Sequence, residues 1–332
     1  MKIFFVGCVL ILAASATLAQ NSSLVLAKTI TLPGIQGKFD HFAVDEAGNR
    51  LFVAATGSKS LQVVDLTSGN VIQSLTGLGK PHGLAWIASS GDLYLADGEK
   101  ATLEIFHGTP LVLVKTLPLS EDADDMVYDG TASMLYVGHG GSDTAHPGRI
   151  AIIDTKNQTQ KATIPTASHP EALEIDRAAD RVFANIADAA EIAVIDGKTL
   201  TQSAVWKLTA AKDNVPLAYD EEQRILFVAC RTPARLLILD GSSGKELAEL
   251  PSDSGADDLF YDADAHQVYL IAGSGAIDIY KIDINKSVKA TGAIHTAAGA
   301  KTGLFVPSQN TLYVGVPGSG VTASSILVYS TR

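Results

Sequence analysis

The sequence predicts an all-β chain: a seven-bladed β-propeller of four-stranded antiparallel blades, closed into a ring by its own N-terminal strand. Three observations carry this. One strand–turn–strand pattern recurs seven times at nearly constant spacing, and apolar residues within each copy alternate by two rather than by three or four. The last copy also lacks a final strand, while an unpartnered strand stands near the start of the chain.

In chain order, the first segment is MKIFFVGCVLILAASATLAQ, with one Lys, an apolar run from Ile3 to Ala14 and small residues up to Ala19. That is the layout of a secretory signal peptide. The run is shorter than the ~20 apolar residues that a membrane-spanning helix needs. Residues 1–19 are therefore expected to be removed, leaving a secreted or periplasmic chain that starts at Gln20 and has no transmembrane segment. Cys8 leaves with the signal, so Cys230 is the one cysteine of the mature chain. This excludes an intramolecular disulfide, a multi-cysteine zinc site, an iron–sulfur cluster and a c-type haem attachment. Within LFVACR, Cys230 reads as a small buried hydrophobe.

Next comes LVLAKTITLPG, a strand with nothing before it to pair with. The seven copies follow: FAVDEAGNRLFVAAT, GLAWIASSGDLYLAD, MVYDGTASMLYVGHG, LEIDRAADRVFANIA, LAYDEEQRILFVACR, LFYDADAHQVYLIAG and GLFVPSQNTLYVGVP. Taking Asp45, Trp86, Asp129, Asp176, Asp220, Asp262 and Val306 as equivalent gives intervals of 41, 43, 47, 44, 42 and 44 residues. A second hairpin follows each copy, as in RIAIIDTKNQTQKATIPT, with Asp and Gly or Asn in the turn. Four strands in about 43 residues make one propeller blade. Blades are expected to start near residues 39, 81, 124, 170, 214, 257 and 301, in one domain over 20–332. The seventh copy stops after its third strand, so residues 24–33 are expected to complete it and leave no free edge.

The repeat letters LYVGHG, LFVAAT and LYVGVP, followed by segments such as IAIIDTKNQTQKATIP, resemble the YVTN repeat. Over residues 24–332 the chain is similar to YncE-like secreted seven-bladed propellers, within the wider WD40/YVTN-repeat-like superfamily. The resemblance implies a periplasmic or extracellular binding or surface protein, with lactonase-like and quinoprotein-like relatives in the wider class. The Trp-rich docking repeats of quinone-dependent dehydrogenases have no counterpart here, since only Trp86 and Trp206 occur.

Composition narrows the function further. The chain of 332 residues carries 25 basic against 36 acidic side chains, a formal net charge of −11. Such a chain offers no basic surface to release counterions from a phosphate backbone, so nucleic acid is not an expected partner. GLGKPHG joins two blades rather than a strand to a helix, so it presents no helix N-terminus to phosphate. There is no GxSxG or HExxH motif.

In a propeller, the loops leading into the inner strands and the loops between second and third strands open on one face around the central channel. Those loops hold Asp40, His41, His82, Asp124, Asp125, His169, Glu171, Asp257, Asp258 and Lys301, then Asp97, His139, Asn185 and Arg231. Imidazole with carboxylate suits a divalent transition metal, with His41, His82, Asp124, Glu171 and Asp257 as the expected ligands. Asp40, His139, Asn185, Arg231 and Lys301 are the further candidates for binding a ligand. Each Asp also has an ordinary structural reading, in which it accepts backbone N–H bonds that tie blades together. The longest interval falls on HGGSDTAHPG, an insertion that could form a flap or add a metal ligand.

Three functions follow as expectations. The first is a secreted binding protein that takes a small molecule, a metal or a protein at the channel face. The second is a metal-dependent lactonase-like hydrolase. The third is a structural component of the cell surface or envelope.

Overall fold

The computed structural model describes residues 23–141, 143 and 146–331. The expected signal peptide, including Cys8, lies outside the described residues. Seven antiparallel sheets of four strands each follow one another around a ring. Six blades take their strands consecutively; in the seventh the order is Val25–Leu32, Ser324–Ser330, Thr311–Val316, Gly303–Val306. Ile30 pairs with Ile326 there, so the first described strand forms the outer edge of the last blade. Among the described residues the only helical pieces are three single-turn 3-10 segments.

The repeated Asp of the copies closes the first hairpin of five blades, Ile87 and Val306 standing at that position in blades two and seven. Oδ1 of Asp45, Asp129, Asp176, Asp220 and Asp262 accepts a backbone N–H two or three residues on, from Gly48, Thr131, Ala179, Gln223 and Ala265. This is the Asx-turn, in which a short carboxylate mimics a backbone acceptor. Asp65, Asp154, Asp196, Asp240 and Asp283 do the same in the outer hairpins. The second strands are buried on both faces, and their aromatics (Phe52, Tyr94, Tyr136, Phe183, Phe227, Tyr269 and Tyr313) fill the seams between neighbouring blades. Apolar seams draw residues from two adjacent sheets, so the hydrophobic effect holds neighbouring blades together.

Register corrects one expectation. Asp45 pairs with Arg50 and Asp129 with Met134, and the corresponding pair of blade two is Ile87 with Asp92. Ile87, not Trp86, is thus the blade-two equivalent. Trp86 points to the other face of its strand and lies against Phe52, with ring centroids 5.3 Å apart. An alternating pattern slips by one wherever an aromatic is as acceptable outside as in.

Candidate functional site at the mouth of the central channel

The inner strands of blades two, four, five and six shift register near their channel ends, between Pro81 and Leu84, Pro170 and Leu173, Asn214 and Leu217, and Ala256 and Asp258. Such bulges re-aim the side chains before them. The residues two positions before Phe42, Leu84, Met126, Leu173, Leu217, Leu259 and Gly303, each three positions before the hairpin residue of its inner strand, form one ring: Asp40, His82, Asp124, Glu171, Val215, Asp257 and Lys301. All seven line a cavity of about 190 Å³. One residue deeper stand His41, Asp125 and Asp258, and below them a second chamber of about 230 Å³ is walled by Phe42, Leu84, Met126, Leu173, Leu217 and Leu259. The channel therefore passes from an ionised rim to an apolar interior within two residues of strand. A larger groove of about 970 Å³ lies away from this face, between Lys28–Ile35 and the outer strands of blade one.

The rim is tightly connected. His82 is only 3% exposed, with Nδ1 2.6 Å from Asp40 Oδ2 and 3.1 Å from Asp124 Oδ1. Neither approach has hydrogen-bond geometry, and neither ring nitrogen has a hydrogen-bond partner. His169 Nδ1–H donates to the Gly140 carbonyl at 2.6 Å, which turns Nε2 toward Asp124 Oδ2 at 3.5 Å. His41 sits among four carboxylates: Asp40 at 3.6 Å, Asp125 at 3.8 Å, Asp124 at 4.0 Å and Asp258 at 3.6 Å.

These neighbours set the protonation of the rim. Burial works against a charged His41, but Asp125, Asp258, Asp40 and Asp124 overcome it and raise the imidazole to about 10. Burial likewise opposes charge on His82, and Asp124 and Asp40 raise it to about 9. His169 reaches about 9 against its burial through Asp124 and Glu171. Burial would raise Asp124, yet His82, His169 and His41 hold it well below the usual carboxylate range. Glu171, buried and facing Asp124, is pushed up to about 7.

Two close approaches of backbone make this packing feasible. A Cβ on Gly83 would stand 2.2 Å from the Asp124 carbonyl oxygen, so only glycine lets blade two reach blade three beside His82. Gly141 has φ +91°, and a Cβ there would meet the His169 nitrogen at 2.1 Å. The inserted loop thus lies against the rim and supplies the carbonyl that orients His169. It also carries an exposed group of Asp143 and His146 beside Glu121, with His146 Nδ1 3.0 Å from Asp143 and 3.1 Å from Glu121.

Of the residues singled out from sequence, Asp40, His41, His82, Asp124, Glu171, Asp257, Arg231 and Lys301 meet at the cavity. Asp257 is held between Arg231 and Lys301, and Arg231 Nε also donates to the Ala256 carbonyl at 2.8 Å. A carboxylate paired with two cations is a poor metal ligand, and Asp257 stands outside the converging donor groups. His139 and Asn185 do not line the cavity. His139 is buried, its Nδ1 accepts the Ser120 N–H at 3.0 Å, and burial with Arg149 nearby lowers it to about 4. Asn185 donates to the Val215 carbonyl at 3.0 Å and accepts from Asn214 at 2.9 Å, which stitches blades four and five.

Lys38, Lys80 and Asp122 also line the cavity and escaped the sequence reading. Each stands two residues before a rim residue, namely Asp40, His82 and Asp124. They lie in the loops before the inner strands, where strand alternation does not apply.

Two overlapping sets of donors emerge. Ligand atoms of Asp40, His82 and Asp124 lie within 4.8 Å of one another, as do those of Asp124, His169 and Glu171. Mixed imidazole and carboxylate donors fit zinc, manganese or iron, and the buried His82 ring, whose nitrogens make no hydrogen bond, faces two of these carboxylates.

No protein-family model matches this sequence, and no curated protein matches it. Solved structures do share the fold. A chain titled Kuenenia stuttgartiensis hydrazine synthase superposes with a TM-score of 0.74 at 15% identity, covering 85% of this chain and 95% of that one. A chain of a mitotic checkpoint complex superposes with a TM-score of 0.77 at 11% identity, covering 99% of this chain and 98% of that one. At such identities the likeness is one of fold alone.

Proposed function

We propose that this chain is a secreted or periplasmic binding propeller of the YVTN type, which takes its ligand at the channel mouth through a divalent cation. Asp40, His82 and Asp124 would hold that cation. The observation that carries the reading is the buried His82 imidazole, which faces two carboxylates with no hydrogen-bond partner on either ring nitrogen. The signal-like segment at residues 1–19 supports export, and the repeat letters support the YVTN assignment. A bound cation would draw a ligand through its oxygen donors, and Lys38 and Lys80 on the same wall would add attraction for an anionic group.

The test is elemental analysis of the purified mature protein after dialysis. A stoichiometric transition metal, lost in His82→Ala and kept in the remote variant His107→Ala, is the expected result. Its absence, together with no Zn²⁺ or Mn²⁺ uptake in titration, would overturn the reading.

The same donor set favours one second reading, metal-dependent hydrolysis of a lactone or ester. A cation held by imidazole and carboxylate polarises a carbonyl and acidifies bound water. Turnover of small lactones that needs the cation and disappears in His82→Ala would support it. Ligand-induced thermal stabilisation without turnover would leave the binding reading alone.

A further inference from the structure

The two donor groups at the rim share one residue. Asp124 turns Oδ1 toward His82, 3.1 Å away, and Oδ2 toward His169, 3.5 Å away. Beyond His82 on the first side stands Asp40, and with His169 on the second side stands Glu171. A carboxylate whose two oxygens face separate imidazoles, each backed by a further carboxylate, has the form of a bridge between two cations. Resting on the reading above that a cation binds here at all, we propose that this rim is a dinuclear site. Asp40 and His82 hold one divalent cation, His169 and Glu171 hold the other, and Asp124 spans the pair.

Two further features support this. His169 is presented as a ligand should be: it spends its Nδ1–H on the Gly140 carbonyl and keeps Nε2 for the site, the usual outer support of a metal-bound histidine. His82 and His169 each leave a buried ring nitrogen without a hydrogen-bond partner on the Asp124 side, Nδ1 of His82 and Nε2 of His169. The charges accommodate two cations as closely as one, to within a single charge. Asp40, Asp124 and Glu171 together offer three negative charges to the pair, whereas Asp257 is already matched by Arg231 and Lys301. With neutral imidazoles, two divalent cations and these three carboxylates would sum to one positive charge, a setting that attracts an anionic ligand group able to touch both metals. Two metals so bridged clamp both oxygens of a carboxylate, phosphate or hydrated carbonyl, which names the ligand class as a bidentate oxyanion.

The probe is Mn²⁺, whose electron paramagnetic resonance spectrum changes when two ions couple through a bridge. The protein is the metal-depleted mature chain carrying His146→Ala, which removes the exposed Glu121–Asp143–His146 group as a source of extra binding. Two Mn²⁺ per chain and an exchange-coupled spectrum, with hyperfine lines at half the spacing of isolated Mn²⁺, are expected. Glu171→Gln, nearly the same shape, should drop the count to one and abolish the coupling while the His82 side still binds. His169→Asn is the alternative if that variant does not keep the wild-type circular dichroism and melting curve. One Mn²⁺ per chain, or two that do not couple, would overturn the bridge and leave the single-cation reading intact. No bound Mn²⁺ or Zn²⁺ would remove both.

Discussion

Asp258 Oδ2 accepts a buried hydrogen bond of 2.6 Å from the backbone N–H of Gly303, the first residue of the next blade's inner strand. Its neighbour Asp257 faces the other way, into the mouth, between Arg231 and Lys301. The same division holds in blade three, where Asp124 faces the mouth and Asp125 Oδ2 accepts the Leu173 N–H of blade four at 3.1 Å. Adjacent residues on a strand point to opposite sides, so each Asp–Asp pair supplies one group for the site and one clamp between blades.

The clamp predicts a stability effect without loss of cation. Asp258→Ala leaves a buried N–H unpaired and should cost about 1–3 kcal/mol. Urea unfolding at constant slope checks this, and Asp258→Asn should recover part of it. An unchanged midpoint in Asp258→Ala would show that the bond contributes nothing.

Ring closure predicts a second effect. Removing residues 23–33 strips the outer strand from blade seven and exposes the edge of Ser324–Ser330. Unpaired edges template association. The truncated chain should melt at lower temperature and elute as oligomers in size-exclusion chromatography, whereas a monomer of unchanged melting point would contradict the closure.

Glu174 predicts a pH effect. It lines the apolar lower chamber, and burial pushes its carboxyl up to about 7. A raised carboxyl penalises the folded state as it ionises: the penalty is absent below the unfolded value near 4.5 and complete above about 7. Glu174→Gln should therefore stabilise the protein at pH 8 by about 1–3 kcal/mol and change little at pH 4. Equal effects at both values would count against the burial argument.

The rim imidazoles predict how cation affinity varies with pH. His82 and His169, both raised to about 9, must lose protons before they can ligate. Affinity should fall as pH drops from 9 to 6, by about tenfold per unit for each proton displaced. Calorimetry in buffers of different ionisation enthalpy reads the released protons directly. No buffer dependence would mean that neither imidazole enters the site.

Gly83 predicts a packing effect. The Cβ of Gly83→Ala would meet the Asp124 carbonyl oxygen at 2.2 Å, so the blades must part beside His82. A loss of about 1–3 kcal/mol is expected from such overpacking, together with weakened cation binding because Asp124 moves with its backbone. Gly130→Ala, where the nearest atom to a Cβ is a Tyr128 ring carbon at 3.5 Å, is the control that should leave both unchanged.

The repeat determined most of the architecture by itself. Alternation by two, an Asp at each hairpin and a surplus strand at the start were enough to give seven blades, their order and the pairing of residues 24–33 with the last one, because strand faces and turn chemistry are local properties written in neighbouring letters. The repeat also brought Asp40, His82, Asp124, Glu171 and Asp257 to one rim. What only the tertiary structure decided is which of these groups remain available. Asp257 is matched by cations from two other blades, Asp125 and Asp258 clamp neighbours, and Asn185 and His139 are taken up by backbone and side-chain partners inside the ring. Asp124 reaches imidazoles from three other blades, His41, His82 and His169. Those relations depend on bulges and close backbone approaches that place residues dozens of positions apart within a few ångströms, and no local pattern in the chain encodes a distance of that kind.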